Sequence, residues 1–405
     1  MNDAPALLGN KSIFPNRIPI ARPTLPSAAD VTSEFTDILE SGILSKGSRR
    51  DAFEDAVADH LGVEHAVAVS SCTSGLMLTY QALGLAGADV VVPSFTFMAT
   101  VSALRWVGAR PVFADVNPRT TNLDLAAAEA SITSQTKAIV AVHNFGNPAR
   151  IDGLWKLARK FNLRLIFDAA HAFGSLFQGR PVGPQGDAQV FSLSPTKLVV
   201  AGEGGIVATD NSDIADHVRV GREFGNCGDY DSNFNGLNAR FAEINAWLGL
   251  HSLRGLESAA ERRNQLAAIY RDRLGRLPGI NFQEVAQGDR CSYKDLSITV
   301  DANSYGLTRN ELALALEAEN IETRKYYDPP VHRQKAYRIY APAEGSLPNT
   351  DFLSGAILNL PIWSHMEEST VSDVCVAIER AYHFRDAVHE RLNEVCVRRE
   401  SVSAS

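Results

Sequence analysis

The chain has 405 residues, 45% of them hydrophobic and 21% charged, and 39 Lys and Arg against 47 Asp and Glu give a formal net charge of −8 at pH 7. Because single hydrophobic cores stop growing near ~250–300 residues, this length predicts two domains. The apolar content excludes a disordered chain. The mild acidity, without basic clusters, argues against binding to nucleic acid or to an anionic membrane surface, though a small anionic ligand stays open.

Cysteine usage and the N-terminus predict the cellular location. The five cysteines are scattered, without a Cys-x-x-Cys pair, so neither a disulfide framework nor a zinc or other metal site is expected. They are Cys72, Cys227, Cys291, Cys375 and Cys396. The N-terminus lacks a cationic start followed by an apolar core, and no run of ~18 apolar residues occurs in the chain. We therefore expect a cytoplasmic protein without a membrane segment.

The N-terminal part of the chain precedes any strand pattern. Residues 1–27 contain five prolines and little periodicity, which predicts an extended arm that lies over another part of the molecule. Ala28–Glu40 is predicted to be a helix opened by Ser27, and helical spacing resumes over Arg50–Leu61.

Short apolar runs rich in β-branched residues then alternate with longer helical stretches. This alternation is typical of parallel strands that crossover helices bury on both faces. The seven runs are Ala66–Ser70, Asp89–Pro93, Pro111–Asp115, Ala138–Val142, Leu163–Asp168, Ala188–Leu193 and Gly205–Thr209. We expect one large α/β domain over residues 28–255, built on a mostly parallel seven-stranded sheet.

Long helices over residues 241–270 end this alternation, and a smaller α+β pattern follows. The later predicted elements are a strand at Leu296–Val300, a helix at Arg309–Glu319, a strand at Ala356–Leu360 and a helix at Thr370–Leu392. We expect them to form a small C-terminal domain over residues 256–395. Residues 396–405 are predicted to be a frayed polar tail.

Residues that follow the strands are the candidates for chemistry, because ligands of open parallel sheets bind beyond the carboxyl ends of the strands. The turn Ser70–Gly75 opens a helix, where free N–H groups and hydroxyls either bind a phosphate or form an ordinary N-cap. Asp168 ends a buried strand and is either a structural cap or a ligand partner. Lys197 follows another strand among apolar residues, where it is either an ordinary solvated lysine or an amine whose pKa is lowered by desolvation, as Schiff-base chemistry requires.

Pyridoxal 5′-phosphate (PLP) uses all three features at once. Its aldehyde needs an amine, its pyridine nitrogen a carboxylate and its phosphate a helix N-terminus. Phe97, after a fourth strand, offers an aromatic face for the ring. Nucleotide sites have less support, because the chain has no GxxxxGK[ST] motif and the glycines of Gly202–Gly205 lack GxGxxG spacing.

Eight sequence blocks, in order along nearly the whole chain, carry a family resemblance. They are PSFTFMAT (93–100), GARPVFADV (108–116), VHNFGNP (142–148), DAAHAFG (168–174), FSLSPTK (191–197), GEGG (202–205), GLNARFAE (236–243) and IETRKYYDPPVH (321–332). This set resembles the DegT-type sugar aminotransferases, PLP-dependent enzymes of fold type I that mostly act on nucleotide-linked keto sugars. The resemblance implies fold type I for the large domain and PLP as the cofactor.

The resemblance also implies roles for individual residues. Lys197 would bind the cofactor aldehyde and move the proton, Asp168 would pair with the pyridine nitrogen, and Phe97 would stack on the ring. The residues expected to support the phosphate and the strand end of the cofactor are Thr73, Ser74 and Ser192. Cys72 stands where the family usually has a glycine.

Four further residues are assigned through the same resemblance. Asn238 matches a residue that reaches the phosphate from the neighbouring subunit, so a homodimer with shared active sites is implied. His171 replaces the usual glutamine and is expected to hydrogen-bond the cofactor's phenolic oxygen. Tyr326 and His332 are expected to contact the substrate, and a structural role is an equal alternative for His332.

The expected activity is amino transfer by ping-pong chemistry. An amino acid, glutamate by family habit, would donate its amine to PLP, and the acceptor would be a nucleoside-diphosphate 4-keto-6-deoxyhexose or a 3-keto relative. A keto-cyclitol such as an inosose is an alternative acceptor. The family's sugar dehydratases carry histidine in place of Lys197, and a non-catalytic regulatory member would lack Lys197, Asp168 or Asn238. All three residues are present.

Overall fold

A computed structural model describes residues 3–403 of the chain, with side-chain surroundings for residues 3–394. The strands in this range are β1 (His65–Val69), β2 (Asp89–Pro93), β3 (Arg110–Ala114), β4 (Thr136–Val142), β5 (Arg164–Asp168), β6 (Leu176–Phe177), β7 (Arg180–Pro181), β8 (Ala188–Ser192), β9 (Gly205–Thr209), β10 (Ile280–Phe282), β11 (Leu296–Val300) and β12 (Ile357–Leu360).

The helices in the same range connect these strands and cover the sheets. They are α1 (Ala28–Ser41), α2 (Ser48–Leu61), α3 (Cys72–Ala82), α4 (Met98–Trp106), α5 (Leu125–Ala130), α6 (Ile151–Phe161), α7 (Ser212–Gly221), α8 (Glu243–Arg254), α9 (Leu256–Leu274), α10 (Ala302–Tyr305), α11 (Arg309–Ala318), α12 (Pro348–Ala356), α13 (Glu368–His383) and α14 (Arg385–Ser403). None of these helices combines the length and the apolar character needed to cross a membrane.

The large sheet contains seven strands in the order β1-β9-β8-β5-β4-β2-β3. The central pairs β2–β3, β2–β4, β4–β5 and β5–β8 are parallel, and β9 runs antiparallel to both of its neighbours. The predicted mostly parallel seven-stranded sheet is therefore confirmed. Its parallel part brings the carboxyl ends of β2, β4, β5 and β8 to one edge.

Helices cover both faces of this sheet, which explains the continuous apolar runs of its strands. Alternate side chains of a strand point to opposite faces, and β1 shows the result. Ala66 and Ala68 enter a core shared with α2, α6 and α8, whereas Val67 and Val69 enter a second core shared with α3, α4 and α7.

A second, three-stranded antiparallel sheet, β10-β11-β12, lies later in the chain. Its core includes Ile298 and Leu358 from the sheet, and Leu266, Leu312 and Ile378 from α9, α11 and α13. The sequence did not predict β10, because three residues are too few to show an alternating pattern.

Helix α9 contributes to two cores. Leu256 and Ala260 at its start pack in the core of the large sheet, and Leu266 and Leu274 further along pack in the core of the small sheet. The predicted boundary between residues 255 and 256 falls at the break between α8 and α9. The division of the chain into these domains stays a prediction.

The C-terminal helical region differs from the prediction in two ways. The predicted helix Thr370–Leu392 is two helices, α13 and α14, because the chain leaves helical geometry at Phe384 (φ −105°, ψ 21°). The predicted frayed tail is also wrong over residues 396–403, where α14 continues to Ser403. This stretch contains neither glycine nor proline to end a helix. Residues 404–405 lie outside the described residues.

The N-terminal arm lies on the small sheet's side of the molecule, and one buried carboxylate anchors its start. The two oxygens of Glu319, a residue with 1% exposure, accept hydrogen bonds from the backbone N–H groups of Ala6 (2.9 Å) and Ile13 (2.7 Å). Phe14 is buried in the core of the small sheet, and Ile18 forms a parallel bridge with Ile321. Glu319 therefore fixes the start of the arm to the end of α11.

We expect Glu319→Ala to release the arm. The substitution removes the acceptor of two backbone donors, and an unsatisfied donor costs roughly 1–3 kcal/mol. Hydrogen–deuterium exchange over residues 6–18 should accelerate about tenfold or more. Glu317→Ala, at an exposed position on the same helix, serves as the control and should leave exchange unchanged. Equal exchange in the Glu319→Ala variant and the wild type would contradict this account.

Candidate active site

A cavity of about 320 Å³ lies at the carboxyl edge of the large sheet. Its walls come from residues that follow β1, β2, β5 and β8, together with Lys294–Asp295 and Tyr326–Tyr327 from later in the chain. The predicted site residues that line it are Thr73, Phe97, Asp168, His171, Ser192, Lys197 and Tyr326. The structure thus brings most of the predicted residues together, and their roles there stay predictions.

The turn after β1 begins α3 with a reciprocal cap. Ser71 Oγ accepts the N–H of Ser74, and Ser74 Oγ accepts the N–H of Ser71, each at 3.1 Å. This cap occupies Ser74, which is buried and does not line the cavity, whereas Cys72 and Thr73 do. First-turn N–H groups have no intrahelical acceptor, so those of Cys72 and Thr73 are available to an anion. The start of α3 packs closely against β9. Gly205 of β9 permits this close packing, because a Cβ atom at that position would lie 2.6 Å from the backbone nitrogen of Cys72.

Asp168 ends β5 with a carboxylate that is 4% exposed. Thr100 Oγ1 donates to Oδ2 at 2.6 Å, and the N–H of Ala170 donates to Oδ1 at 3.1 Å. Burial raises the pKa of Asp168, and the two hydrogen bonds and the charge of Lys197 oppose that rise. Because no cation of the described residues bonds this carboxylate directly, a cationic ring nitrogen would complete its surroundings.

Lys197 lies in the loop after β8, and its backbone N–H group donates a hydrogen bond to the carbonyl oxygen of Ser194. Burial and the neighbouring ammonium of Lys294 lower the pKa of Lys197 to about 7, and the carboxylates of Asp295 and Asp168 act in the opposite direction. A large fraction of this amine is therefore neutral at neutral pH. A neutral amine is the form that attacks an aldehyde or accepts a proton.

His171 has a defined tautomer. Its Nδ1 accepts the N–H of Phe145 at 3.2 Å, so the ring proton sits on Nε2 and can be donated within the cavity. Burial, Lys197 and Lys294 all hold the pKa of His171 well below its ordinary value. The ring is therefore neutral at neutral pH, and its hydrogen-bonding role does not change across that range.

Phe97 and Ser192 border the cavity at the carboxyl ends of two strands, with Phe97 in the segment after β2 and Ser192 at the end of β8. Phe97 is 50% exposed, so its ring has a free face for stacking. Ser192, at the end of β8, accepts a long hydrogen bond (3.4 Å) from the N–H of Ser194 and keeps its own hydroxyl hydrogen for another partner.

Besides Ser74, two predicted residues lie outside this cavity. His332 Nδ1 bonds Ser94 Oγ at 2.7 Å, and the His332 N–H donates to the same oxygen at 3.0 Å, which are the contacts of a structural histidine. His332 borders a different cavity, next to Asp351. Asn238 is exposed, and its backbone forms an isolated antiparallel β-bridge with Glu223. It does not reach the cavity of its own chain.

The sequence did not single out the ion pair formed by Lys294 and Asp295. Both side chains are almost fully buried, and both line the cavity. Their one signal in the sequence is a Lys-Asp pair immediately before the apolar run of β11, where neither residue is needed to form the strand.

The chemistry of these groups fits PLP. A largely neutral lysine suits the aldehyde, a buried carboxylate without a bonded cation suits a protonated pyridine nitrogen, and free N–H groups at the start of α3 suit the phosphate. Lys197, Asp168 and Thr73 would hold the cofactor at these three points. His171 would donate to its phenolic oxygen.

We predict that apoenzyme captures PLP covalently at a rate that rises with pH through about 7, the pKa of Lys197. Only the neutral amine attacks the aldehyde, whereas a solvated lysine would show the rise near its ordinary pKa of 10.5. Stopped-flow absorbance of the bound cofactor between about pH 6 and about pH 9 measures this rate. Lys197→Ala should show no covalent band. A rate still climbing steeply at the upper end would refute the lowered pKa.

Comparison with known proteins gives one family. The model of the DegT/DnrJ/EryC1/StrS aminotransferase family matches residues 27–379. The spore coat polysaccharide biosynthesis protein SpsC of Bacillus subtilis (strain 168) is 35% identical over 360 residues, which are 85% of this chain and 92% of SpsC.

Solved structures agree in fold over nearly the full length. DesI, determined in the presence of its TDP-sugar product, is 35% identical with a TM-score of 0.89, covering 96% of this chain and 98% of DesI. 3-Amino-5-hydroxybenzoic acid (AHBA) synthase is 28% identical with a TM-score of 0.83, covering 91% of this chain and all of the synthase chain (100%). The chain therefore belongs to the DegT/DnrJ/EryC1/StrS aminotransferase family and is a PLP-dependent aminotransferase of fold type I.

Proposed function

We propose that this enzyme transfers the amino group of an amino acid, with glutamate as the expected donor, to the keto group of a nucleotide-linked sugar. The preferred acceptor is a nucleoside-diphosphate 4-keto-6-deoxyhexose, and a 3-keto sugar is the second candidate. The observation that carries this proposal is the cavity of Lys197 and Asp168 in a chain 35% identical to DesI, whose product is a TDP-sugar. The role of SpsC in polysaccharide biosynthesis supports the same class of acceptor.

The residues of the cavity divide the work of amino transfer. When bound, PLP supplies an electron sink for the carbon that loses its proton. The Lys197 amine, with its pKa near 7, takes that proton and returns it, because its two protonation states have similar populations at neutral pH. With the cofactor bound, Asp168 would stabilise positive charge at the ring nitrogen by contact in a buried site. Thr100 and Ala170 orient the carboxylate for this contact.

The size of the cavity limits what it can hold. Its 320 Å³ are near the lower end of ligand pockets, which range from ~300 to ~1,000 Å³. The cofactor and the reacting sugar ring together would fill a cavity of this volume. The nucleotide of the acceptor would therefore lie at the mouth of the cavity, where Phe97 is half exposed.

A keto-cyclitol such as an inosose is the alternative acceptor. AHBA synthase has the same fold as this chain, and the product in its name carries no nucleotide. Acceptors without a nucleotide are thus compatible with this architecture. A sugar dehydratase or a non-catalytic member has less support, since Lys197, Asp168 and Asn238 are all present.

Purified enzyme incubated with glutamate and a panel of nucleotide-linked 3- and 4-keto sugars and inososes should aminate one class of acceptor. Mass spectrometry should show the carbonyl oxygen of a nucleotide-linked keto sugar replaced by an amino group and a hydrogen. The Lys197→Ala variant is the control and should leave every acceptor unchanged. Amination of an inosose alone would replace the proposal by its alternative, and no amination of any acceptor would contradict both.

We also propose that the enzyme is a cytoplasmic homodimer with shared active sites. Asn238 lies exposed and away from the cavity of its own chain, as expected for a residue that serves a partner's site. Several large apolar side chains near α1 and α4 are exposed in the single chain and would be covered in a dimer. They are Leu39, Ile43, Leu44 and Met98.

Coexpression of Lys197→Ala and Asn238→Ala subunits tests the shared site. If Lys197 and Asn238 of one site come from different subunits, a mixed dimer contains one doubly altered site and one intact site. Activity should then exceed that of either variant alone. If both residues of a site came from one chain, mixing would restore nothing, and the absence of recovery would count against the shared arrangement.

A further inference from the structure

Two charged side chains of the cavity wall, Lys294 and Asp295, influence the pKa of Lys197 but have no ligand of their own in the function proposed above. Lys294 exposes 7% of its side chain and Asp295 3%. Lys294 Nζ lies 2.9 Å from Oδ1 and 3.0 Å from Oδ2 of Asp295. An ion pair is thus buried in the wall of the cavity that contains Lys197.

Among the described residues, the side chains of Lys294 and Asp295 form hydrogen bonds only with each other. An ammonium has three donors and a carboxylate has about four acceptor positions. In the described part of the chain, the hydrogen bonds of these side chains are the two between Lys294 Nζ and the Asp295 oxygens. The ring of Tyr326, 5.6 Å from Nζ, adds a cation–π contact but no acceptor. Both groups therefore retain hydrogen-bonding capacity for a molecule in the cavity.

A buried ion pair of this kind does little for the stability of a fold, because the desolvation of both charges offsets their attraction. The structural cation of this segment is Arg263. It donates to the carbonyls of Tyr293 (2.9 Å) and Lys294 (3.2 Å) and to Ser364 Oγ (3.1 Å). Because Arg263 already fixes the backbone here, the Lys294 and Asp295 side chains are free to serve a ligand.

The substrates of the two half-reactions differ in charge. An amino acid brings one carboxylate, or two in glutamate, whereas the reacting end of a keto sugar brings hydroxyls. The cavity is lined by two lysines, Lys197 and Lys294, and Lys197 is committed to the amine chemistry. Carboxylates are bound in proteins by ammonium and guanidinium groups through charge-assisted hydrogen bonds. Among the described residues of this chain that line the cavity, Lys294 is the cation that remains for the amino donor.

We propose that Lys294 binds a carboxylate of the amino donor, and that Asp295 holds the Lys294 ammonium in place while no donor is bound. The proposal rests on the donor half of the proposed function and does not depend on the acceptor. The neutral pair leaves no uncompensated charge in the cavity when the sugar enters. When a donor enters, the three donors of the ammonium allow it to contact the incoming carboxylate and Asp295 together.

Conversion of the bound cofactor by glutamate, followed by absorbance without any sugar present, tests this proposal. Lys294→Met should raise the glutamate concentration for half-maximal conversion about 10- to 100-fold, the effect of losing one charge-assisted hydrogen bond. Asp295→Asn should lower that concentration severalfold, because Lys294 then has no anionic competitor. Lys160→Met is the matched control and should change nothing. It removes a surface lysine that is also ion-paired but does not line the cavity.

The opposite signs of the two variants separate ligand binding from a structural role. Their persistence at about pH 9, well above the Lys197 pKa of about 7, separates it from an indirect effect on that pKa. A merely structural pair would lose function in the same direction on both substitutions, and that result would overturn the proposal. A Lys294→Met variant that binds glutamate as the wild type does would overturn it too. If Lys294→Met fails to fold or to hold PLP, Lys294→Arg keeps the cation, and it should retain affinity for glutamate where Lys294→Gln loses it.

Alanine as a second donor identifies the carboxylate. A similar loss with alanine and glutamate in Lys294→Met assigns the α-carboxylate, and a loss confined to glutamate assigns the side-chain carboxylate. Wild-type enzyme that reacts with glutamate but aminates no sugar contradicts the acceptor assignment and leaves this proposal intact. Wild-type enzyme that reacts with no amino acid overturns both.

Discussion

A carboxylate buried at the carboxyl edge of a parallel sheet must be compensated by groups from neighbouring strands, because its desolvation costs several kcal/mol. Asp168 imposes this requirement at the end of β5. Its donors are Thr100, from the helix after β2, and the Ala170 N–H, from its own loop. Lys197, from the loop after β8, adds an opposing charge. One buried charge thus interacts with groups that follow three strands of the sheet.

The same burial sets the chemistry of the amines. A solvated lysine is almost wholly protonated at neutral pH and is a poor nucleophile. Loss of hydration lowers the pKa of Lys197, and the second ammonium, that of Lys294, lowers it further to about 7. Lys294 precedes β11 of the small sheet. The reactivity of a lysine on the large sheet therefore depends on how the later part of the chain packs against it.

The sequence predicted what periodicity and strand polarity determine. Apolar runs predicted the seven strands, and the convergence of carboxyl ends predicted that Asp168, Lys197 and Phe97 lie around one cavity, which they do. Long-range partners are invisible to such patterns. His332 bonds Ser94, 238 residues away, and nothing near either residue in sequence predicts that contact.

The same type of residue can serve a structural or a functional role, and this ambiguity also limits prediction from the sequence. By composition the turn Ser70–Gly75 suited either a phosphate or an N-cap, and the structure shows that the Ser74 hydroxyl closes the cap of α3 with Ser71. Lys294 and Asp295 were missed because they follow an irregular loop rather than a strand of the large sheet. Asn238 is a different case. It is expected to serve the active site of a neighbouring subunit, so the structure of its own chain shows no function for it.

The net charge of −8 would suggest an enzyme that repels anionic ligands. The field inside the cavity is set at a shorter range, because salt screens exposed charges beyond about 8–10 Å and screens buried ones much less. There the N–H groups at the start of α3 and the ammonium group of Lys294 offset the charges of Asp168, Asp295 and Glu203. A phosphate is thus met by backbone dipoles and a carboxylate by an ammonium, each at its own point. The acidic surface then disfavours polyanions without weakening either contact.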